Sequence, residues 1–335
     1  MTASTRLRAG FALPAVLGLV ALLALVLLAA ASALAVMTDT ARRELDGAEF
    51  ERQASSAQAR ALVLVATTPF APDGLRLAGS GDVPEIGLNR PVLRLDGRPY
   101  LLPGAAPLTV ALQDEAGLVN LNASRPDALL RLLARLRLPQ AKAETLRDRL
   151  LDAIDADARP RPRGMEAEDY ARRGLRPPPP GGFADLAEVA AVPGWEPFAT
   201  GSRRRELAAL ATADAGSTAF NLNTASAPVL EVVLGVSPAT AARLVALRAF
   251  TPIRSLAQAG LAPGSPGEAP KPNGRVRFTA ADGRRGLGYV SRLAPNDDPE
   301  GPPWIASAGL LTREVERTAT HAATLPDPAA QATAR

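Results

Sequence analysis

The chain of 335 residues contains no cysteine, so disulfide staples, thiolate zinc sites and cysteine nucleophiles are excluded. There is one histidine, His321, in a polar stretch near the end. Histidine-based triads and metal clusters are therefore excluded as well. Lysine is nearly absent: apart from Lys142 and Lys271 every basic side chain is arginine, and 38 basic residues face 34 acidic ones for a net charge of +4. Losing Arg6 and Arg8 with an N-terminal leader would leave about +2, too little to steer a polyanion, so nucleic acid is disfavoured as a partner. Aromatics reach only 4%, and a core has to be built from Leu, Val and Ala. Phosphate-binding loops, nucleophile elbows and zinc-protease motifs are missing. The acidic clusters lack the aromatic platforms a glycosidase pair would need. The chain reads as a non-enzyme.

What the sequence has in quantity is proline (31), glycine (27) and one long apolar run. That run covers residues 11–37, interrupted by Pro14, Gly18 and Ser32, and follows Arg6 and Arg8. At about 1.5 Å per residue it exceeds a hydrocarbon core of ~30 Å. Pro14 falls in the first helical turn, where a missing N–H costs nothing. Small-x-small sites at Ala29–Ala31 and Ala33–Ala35 allow a cleaved secretory signal, but the run is far longer than a signal core of about 7–15 residues. The flanking arginines predict an inside N-terminus and an exported C-terminal side. Beyond the span, residues 38–68 keep helical character, mixing Arg42, Arg43, Glu44, Glu49, Glu51 and Arg52 with Leu45, Phe50, Leu62, Val63 and Val65. One helix is predicted, with its lower half in lipid and its upper half packed on a head, ending near Thr67-Thr68-Pro69.

Basic residues, then Gly10-Phe11, then an apolar helix: this order resembles the type IV prepilin family. The resemblance implies cleavage between Gly10 and Phe11 by a prepilin peptidase, methylation of the new Phe11 amine, and a helix that stays in the bacterial inner membrane with a periplasmic head. The fifth mature residue is Ala15, where major subunits of that family carry glutamate. A carboxylate in lipid needs a neighbouring amine, and a tip subunit has no subunit above it to meet, so Ala15 points to a minor, tip-placed member.

The head begins with short strands between turns. Residues 91–95 and 98–102 flank Asp96-Gly97 and read as a hairpin, and residues 108–112 as a further strand. Residues 123–154 read as two helices, the first capped by Ser124 with Pro126 and Asp127 in its first turn, the second starting near Pro139 with Leu146, Leu150, Leu151 and Ile154 inward. Two loops, 159–164 and 177–182, and two further helical stretches, 184–191 and 204–211, follow. Asn120-Leu121-Asn122 recurs as Asn221-Leu222-Asn223, each followed by a capped, proline-started helix, and the asparagine amides are suited to satisfying turn backbone. Strands are predicted at 275–279, 287–291 and 310–315, returning to the first sheet.

Three further stretches strengthen the resemblance: Leu118-Val119-Asn120-Leu121-Asn122, the run Leu151-Asp152-Ala153-Ile154-Asp155-Ala156-Asp157, and Gly164-Met165-Glu166-Ala167-Glu168-Asp169-Tyr170. Together with Phe220-Asn221-Leu222-Asn223 they resemble the K-type minor pseudopilins of type II secretion systems, with Ala153 where a tryptophan is usual. The resemblance implies an α+β fold, in which a long N-terminal transmembrane and amphipathic helix leads into a pseudopilin α/β sheet domain with a large inserted helical domain. The expected boundaries are leader 1–10, membrane helix 11–37, its periplasmic continuation 38–68, sheet domain 69–119 with 257–319, insert 120–256 and a flexible tail 320–335. It implies a role at the tip of the secretion pseudopilus, with other minor pseudopilins, the major pseudopilin, the prepilin peptidase and the inner membrane as partners.

Asp152, Asp155, Asp157, Glu166, Glu168 and Asp169 form the densest acidic group. A proline, arginine and glycine loop could fold its second half back on the first, and calcium takes six to eight hard oxygens in flexible geometry. Arg159, Arg161 and Arg163 could equally pair with the same acids. The K-type resemblance implies calcium near these positions. Finally, residues 223–248 resemble a helix-hairpin-helix module with Gly235 at the turn and Arg243 and Arg248 nearby. That leaves two alternatives: an extracytoplasmic DNA-binding or uptake component, or a type IV pilus minor pilin.

Overall fold

The structure is a computed structural model; it describes residues 12–78, 92–102, 108–179, 181–214, 218–262, 265–266, 272–296, 298–313 and 323–329. Gly10 and Phe11 lie outside the described residues. The chain divides into two compact units, Met1–Gln53 and Ala54–Arg335.

The described residues of the first unit, 12–53, are all helix. Helix α1 runs Ala12–Thr67 and stops immediately before Thr68-Pro69, as the proline predicts. From Leu13 through Met37 its apolar side chains are exposed on every face, and it is long and apolar enough to cross a membrane. Arg43 pairs with Asp39, and Arg52 with Glu49 at 2.7 Å, where the surface turns polar.

In the second unit α1 buries a narrow stripe of Ala54, Ala57, Ala61, Leu64 and Val65, spaced three and four apart, while Val63 stays exposed. Gln58 lies in that stripe. Its side-chain amide donates to the Ser307 carbonyl at 3.1 Å, and its oxygen accepts from the Tyr289 hydroxyl at 2.8 Å.

Among the described residues twelve strands follow: β1 (Phe70–Ala71), β2 (Gly74–Arg76), β3 (Val92–Arg94), β4 (Asp96–Leu102), β5 (Leu108–Asp114), β6 (Val119–Asn120), β7 (Ala211–Thr212), β8 (Val276–Asp282), β9 (Leu287–Pro295), β10 (Trp304–Ala306), β11 (Leu310–Arg313) and β12 (Ala323–Thr324). The main sheet has the order β10-β9-β8-β5-β4-β12, with β11 also on β9. Its register pairs Leu112 with Phe278, Val110 with Ala280, and Ala280 with Tyr289. Those side chains share one face, the face that reaches α1 through Tyr289 and Gln58.

The hairpin predicted at Asp96-Gly97 does not form. Strand β3 pairs with β2, and β4 pairs with β5. Leu95 is the corner between the two sheets, donating to Asp73 and accepting from Asp114. Gly97, at φ +75°, serves instead a register shift between Asp96 and Pro99. The strands expected at 275–279 and 287–291 join the main sheet, as do residues 310–313 of the one expected at 310–315, whose last two residues lie outside the described residues. Within the stretch expected as a free tail, Ala323 and Thr324 pair in parallel with Tyr100 and Leu101, and Leu325 is buried.

Strands β5 and β8 are neighbours in space but far apart in sequence, and every described helix after α1 lies between them. The helices are α2 (Pro126–Arg135), α3 (Gln140–Ile154), α4 (Ala167–Arg172), α5 (Gly201–Ala208), α6 (Ala227–Leu234), α7 (Pro238–Phe250) and α8 (Leu256–Ala259), with tight helical turns at Glu115–Gly117, Leu186–Ala191 and Glu196–Phe198. They enclose one core built around Leu129, Leu132, Leu146, Leu150, Trp195 and Leu230. The Trp195 indole is fully buried and donates to the Leu146 carbonyl at 3.0 Å. Ser124 does not cap α2; its hydroxyl turns back to the Asn120 carbonyl, and Pro126 starts the helix without a side-chain cap.

Candidate functional site

The Asn-Leu-Asn repeat has one physical job, carried out twice. Asn120 Oδ1 accepts from Asn122 N at 3.1 Å, and Asn221 Oδ1 from Asn223 N at 3.0 Å. The second asparagine of each pair then clamps both backbone groups of a distant apolar residue. Asn122 holds Phe183 at 2.7 and 2.9 Å, and Asn223 holds Ile253 at 2.9 and 2.7 Å. A residue with positive φ closes each hairpin, Arg137 at +61° after α2 and Gly235 at +67° after α6.

The acidic group is assembled from the end of α3 and the start of α4. Helix α3 terminates at Ile154, so Asp155 and Asp157 leave it in bends. The loop 158–165 returns Glu166 to them, and one carboxylate oxygen from each of Asp155, Asp157 and Glu166 lies within 4.8 Å of the other two. Two ligands of one calcium ion, each at about 2.4 Å, are separated by no more than about 5 Å, so the spacing fits. Asp155 Oδ1 and Glu166 Oε1 are buried and have no hydrogen-bond partner. Burial, followed by the charges of Asp152, Asp155 and Asp157, pushes the Glu166 carboxyl above its ordinary range.

The other predicted residues are placed differently. The Asp152 side chain is fully buried, takes the Arg161 guanidinium on Oδ1 and accepts from Arg161 N on Oδ2 at 3.1 Å. The same guanidinium bonds Asp155 Oδ2 at 2.5 Å. Asp169 accepts from Glu166 N at 3.1 Å, closing a capping box on α4, and pairs with Arg172. Glu168 is exposed in the first turn of α4, outside the converging trio. Arg163 pairs with Glu144, and its backbone N–H donates to Asp148. Arginines thus pair with Asp152, Asp155 and Asp169 of the six, while Asp155, Asp157 and Glu166 converge.

The second hairpin is built for packing. Gly235 supplies the left-handed turn between α6 and α7, and Ser237 Oγ accepts from Thr240 N at 3.2 Å, capping α7 with its own side chain. Arg248 does not face outward. It is 5% exposed and donates to the carbonyls of Leu222 and Ala225, and burial pulls its guanidinium down to about 10. Of the two arginines considered for phosphate contact, Arg243 alone is exposed.

Sequence reasoning missed the residue that joins sheet and helices. Asp114, at the end of β5, is buried and accepts from Asn221 Nδ2 at 2.9 Å, Thr224 Oγ1 at 2.8 Å, Ala116 N at 3.1 Å and Asn273 N at 3.4 Å. An aspartate closing a predicted strand opposite the second Asn-Leu-Asn was the available signal. On the other sheet face, Arg277 and Arg292 reach across to the carbonyls of Ala211 and Ala213 at 3.0 and 3.1 Å, and Arg292 pairs with buried Glu115 at 3.0 Å. A cleft of about 730 Å³ remains there, walled by Gln113, Thr279 and Leu310 on the sheet side and Arg204 and Ala208 on α5.

No curated protein sequence matches the chain. Among solved structures, a chain of the GspK-GspI-GspJ complex from the enterotoxigenic Escherichia coli type 2 secretion system shares its fold. That match has a TM-score of 0.51 and 18% identity, covering 82% of this chain and 99% of that one. Residues 110–214 and 220–277 match two family models, both described as type II secretion system (T2SS), protein K. Both descriptions name a component of a secretion system. These regions hold both Asn-Leu-Asn clamps and the acidic loop, and end at the start of β8, the strand that returns the chain to its sheet. The chain belongs to the type II secretion system protein K family, the minor pseudopilins of that export machine.

Proposed function

We propose that this minor pseudopilin closes the tip of a short pseudopilus and supports its assembly for protein export. The observation that carries the reading is the helical bulk inserted between adjacent strands β5 and β8. A subunit whose sheet bears such an insert can pack its apolar helix beside its neighbours while obstructing the addition of another head above. Small residues along the membrane part of α1 favour close helix packing in lipid. Ala15, in place of a membrane carboxylate, agrees with a subunit that has none above it.

In this reading the prepilin peptidase cuts between Gly10 and Phe11, Phe11 is methylated, and the head is periplasmic. The partners are other minor pseudopilins and the major pseudopilin; the similar fold comes from a GspK-GspI-GspJ complex. The test is the mature N-terminus, measured by mass spectrometry in cells with and without the peptidase. A methylated Phe11 that appears only when the peptidase is present supports the reading. A mature protein starting beyond Ala35 removes it.

Calcium belongs to the same proposal. Asp155, Asp157 and Glu166 would hold it, with the remaining ligands from water and backbone carbonyls. The ion would neutralise the converging carboxylates and tie the end of α3 to the start of α4. On this basis EDTA lowers the melting temperature of the detergent-solubilised chain, and added calcium restores it. Identical melting curves with and without calcium would speak against the ion.

A further inference from the structure

We infer that Arg161 is a built-in cation of the acidic site, filling the Asp152–Asp155 half so that one divalent ion is left to Asp155, Asp157 and Glu166. The inference rests on the calcium reading and concerns what the chain itself supplies to that site.

The geometry separates the two halves. Both Asp152 oxygens are engaged by Arg161, Oδ1 by the guanidinium and Oδ2 by the backbone N–H. A Cβ at Gly164 would fall inside the Asp152 carboxylate, so the loop closes directly on Oδ2. Asp155 is shared. Its Oδ2 faces Arg161, and its Oδ1 is buried with no hydrogen-bond partner, like Glu166 Oε1. A fixed positive charge thus bridges two carboxylates on one side, and on the other Asp155, Asp157 and Glu166 converge, with Asp157 Oδ1 accepting from Arg159 N at 2.9 Å.

A buried carboxylate such as Asp152 needs a permanent partner, whether or not an ion is bound. Arginine supplies one that cannot lose its proton or dissociate. It also holds Asp155 by Oδ2 and leaves Oδ1 without a hydrogen-bond partner. The consequence is a site with one cation carried by the chain and one taken from solution.

The experiment is calcium chloride titration by calorimetry on the detergent-solubilised full chain, with melting curves in EDTA, for the native protein, Arg161→Gln and Arg161→Lys. The native chain and Arg161→Lys should each take up one calcium. Arg161→Gln should take up two and, in EDTA, melt lower by on the order of 5 °C, with calcium recovering the loss. If Arg161→Gln proves unfolded in EDTA, refolding on calcium addition supports the inference, and failure to refold while Arg161→Lys folds normally overturns it. Two calcium ions on the native chain would overturn it and leave the calcium reading standing. An Arg161→Gln chain that binds one ion with native affinity and melts as the native chain does would also overturn it. A native chain that binds none would end the calcium reading. In that case Arg161→Gln gaining an ion still supports Arg161 as the resident cation, and no binding by any variant overturns it.

Discussion

Asp114 illustrates how one side chain can couple two parts of a fold and make the coupling depend on pH. Its four donors favour the carboxylate, yet burial outweighs them and pushes its carboxyl up to about 6. An unfolded aspartate titrates near 3.9, so between these values the folded chain holds the proton more tightly. The stabilisation from that proton is complete below about pH 4 and is lost as the pH rises through about 6. Asp114→Asn should flatten this part of the stability profile. It should also cost roughly 1–3 kcal/mol, because its amide would face the Asn221 amide, another donor. Denaturant midpoints at pH 4, 6 and 8 test both effects, and an unchanged slope would remove Asp114 as the source. Asn223→Ala makes a second case. It leaves both backbone groups of Ile253 without their partner in a buried setting, a loss of about 2 kcal/mol or more. Asn122→Ala should cost less, since Asn122 is only half-buried.

Element boundaries were readable wherever a local signal decided them. The end of α1 followed from Pro69, the start of α2 from Pro126, and the strands at 108–112 and 287–291 from their composition. Pairing was less legible, because Asp96-Gly97 suits a hairpin turn and a bulge equally, and the choice lay with Asp73 and Asp114, the distant residues that bond Leu95. The same limit applied to the acidic group. Its composition announced six candidates, but which three converge depended on where α3 ends and how α4 is capped. The buried face of α1 was also obscured, since an alanine-rich helix shows little periodic contrast. That face is tight. Ala57 and Ala61 are fully buried, so Ala57→Leu should cost about 1–3 kcal/mol by overpacking. Leu64→Ala should cost about 2–5 kcal/mol by leaving a cavity. Urea midpoints of the two variants check the pair, and a neutral Ala57→Leu would mean that the contact is loose.

At the scale of the molecule, the insert leaves and re-enters the sheet at one place. Thr109 through Asp114 pair with Ala281 back to Val276, and Glu115 N donates to Arg275 O at 2.9 Å. These are the terms of an ordinary antiparallel hairpin whose loop happens to be a helical domain. Replacing residues 116–273 by a short Asn-Gly turn should therefore leave the sheet and its helix able to fold. The excised chain loses the bonds of Asp114 to Asn221 and Thr224 and the reach of Arg277 and Arg292 across to the insert. It should melt lower but remain cooperative, with the Gln58–Tyr289 contact retained. The tip-closing role is then open to direct measurement. In cells producing the excised chain in place of the native one, pseudopili should incorporate it and grow longer, because the obstruction above its sheet is gone. Filaments of native length that contain the excised chain would mean that the insert does not close the tip, and its bulk would then need a different partner.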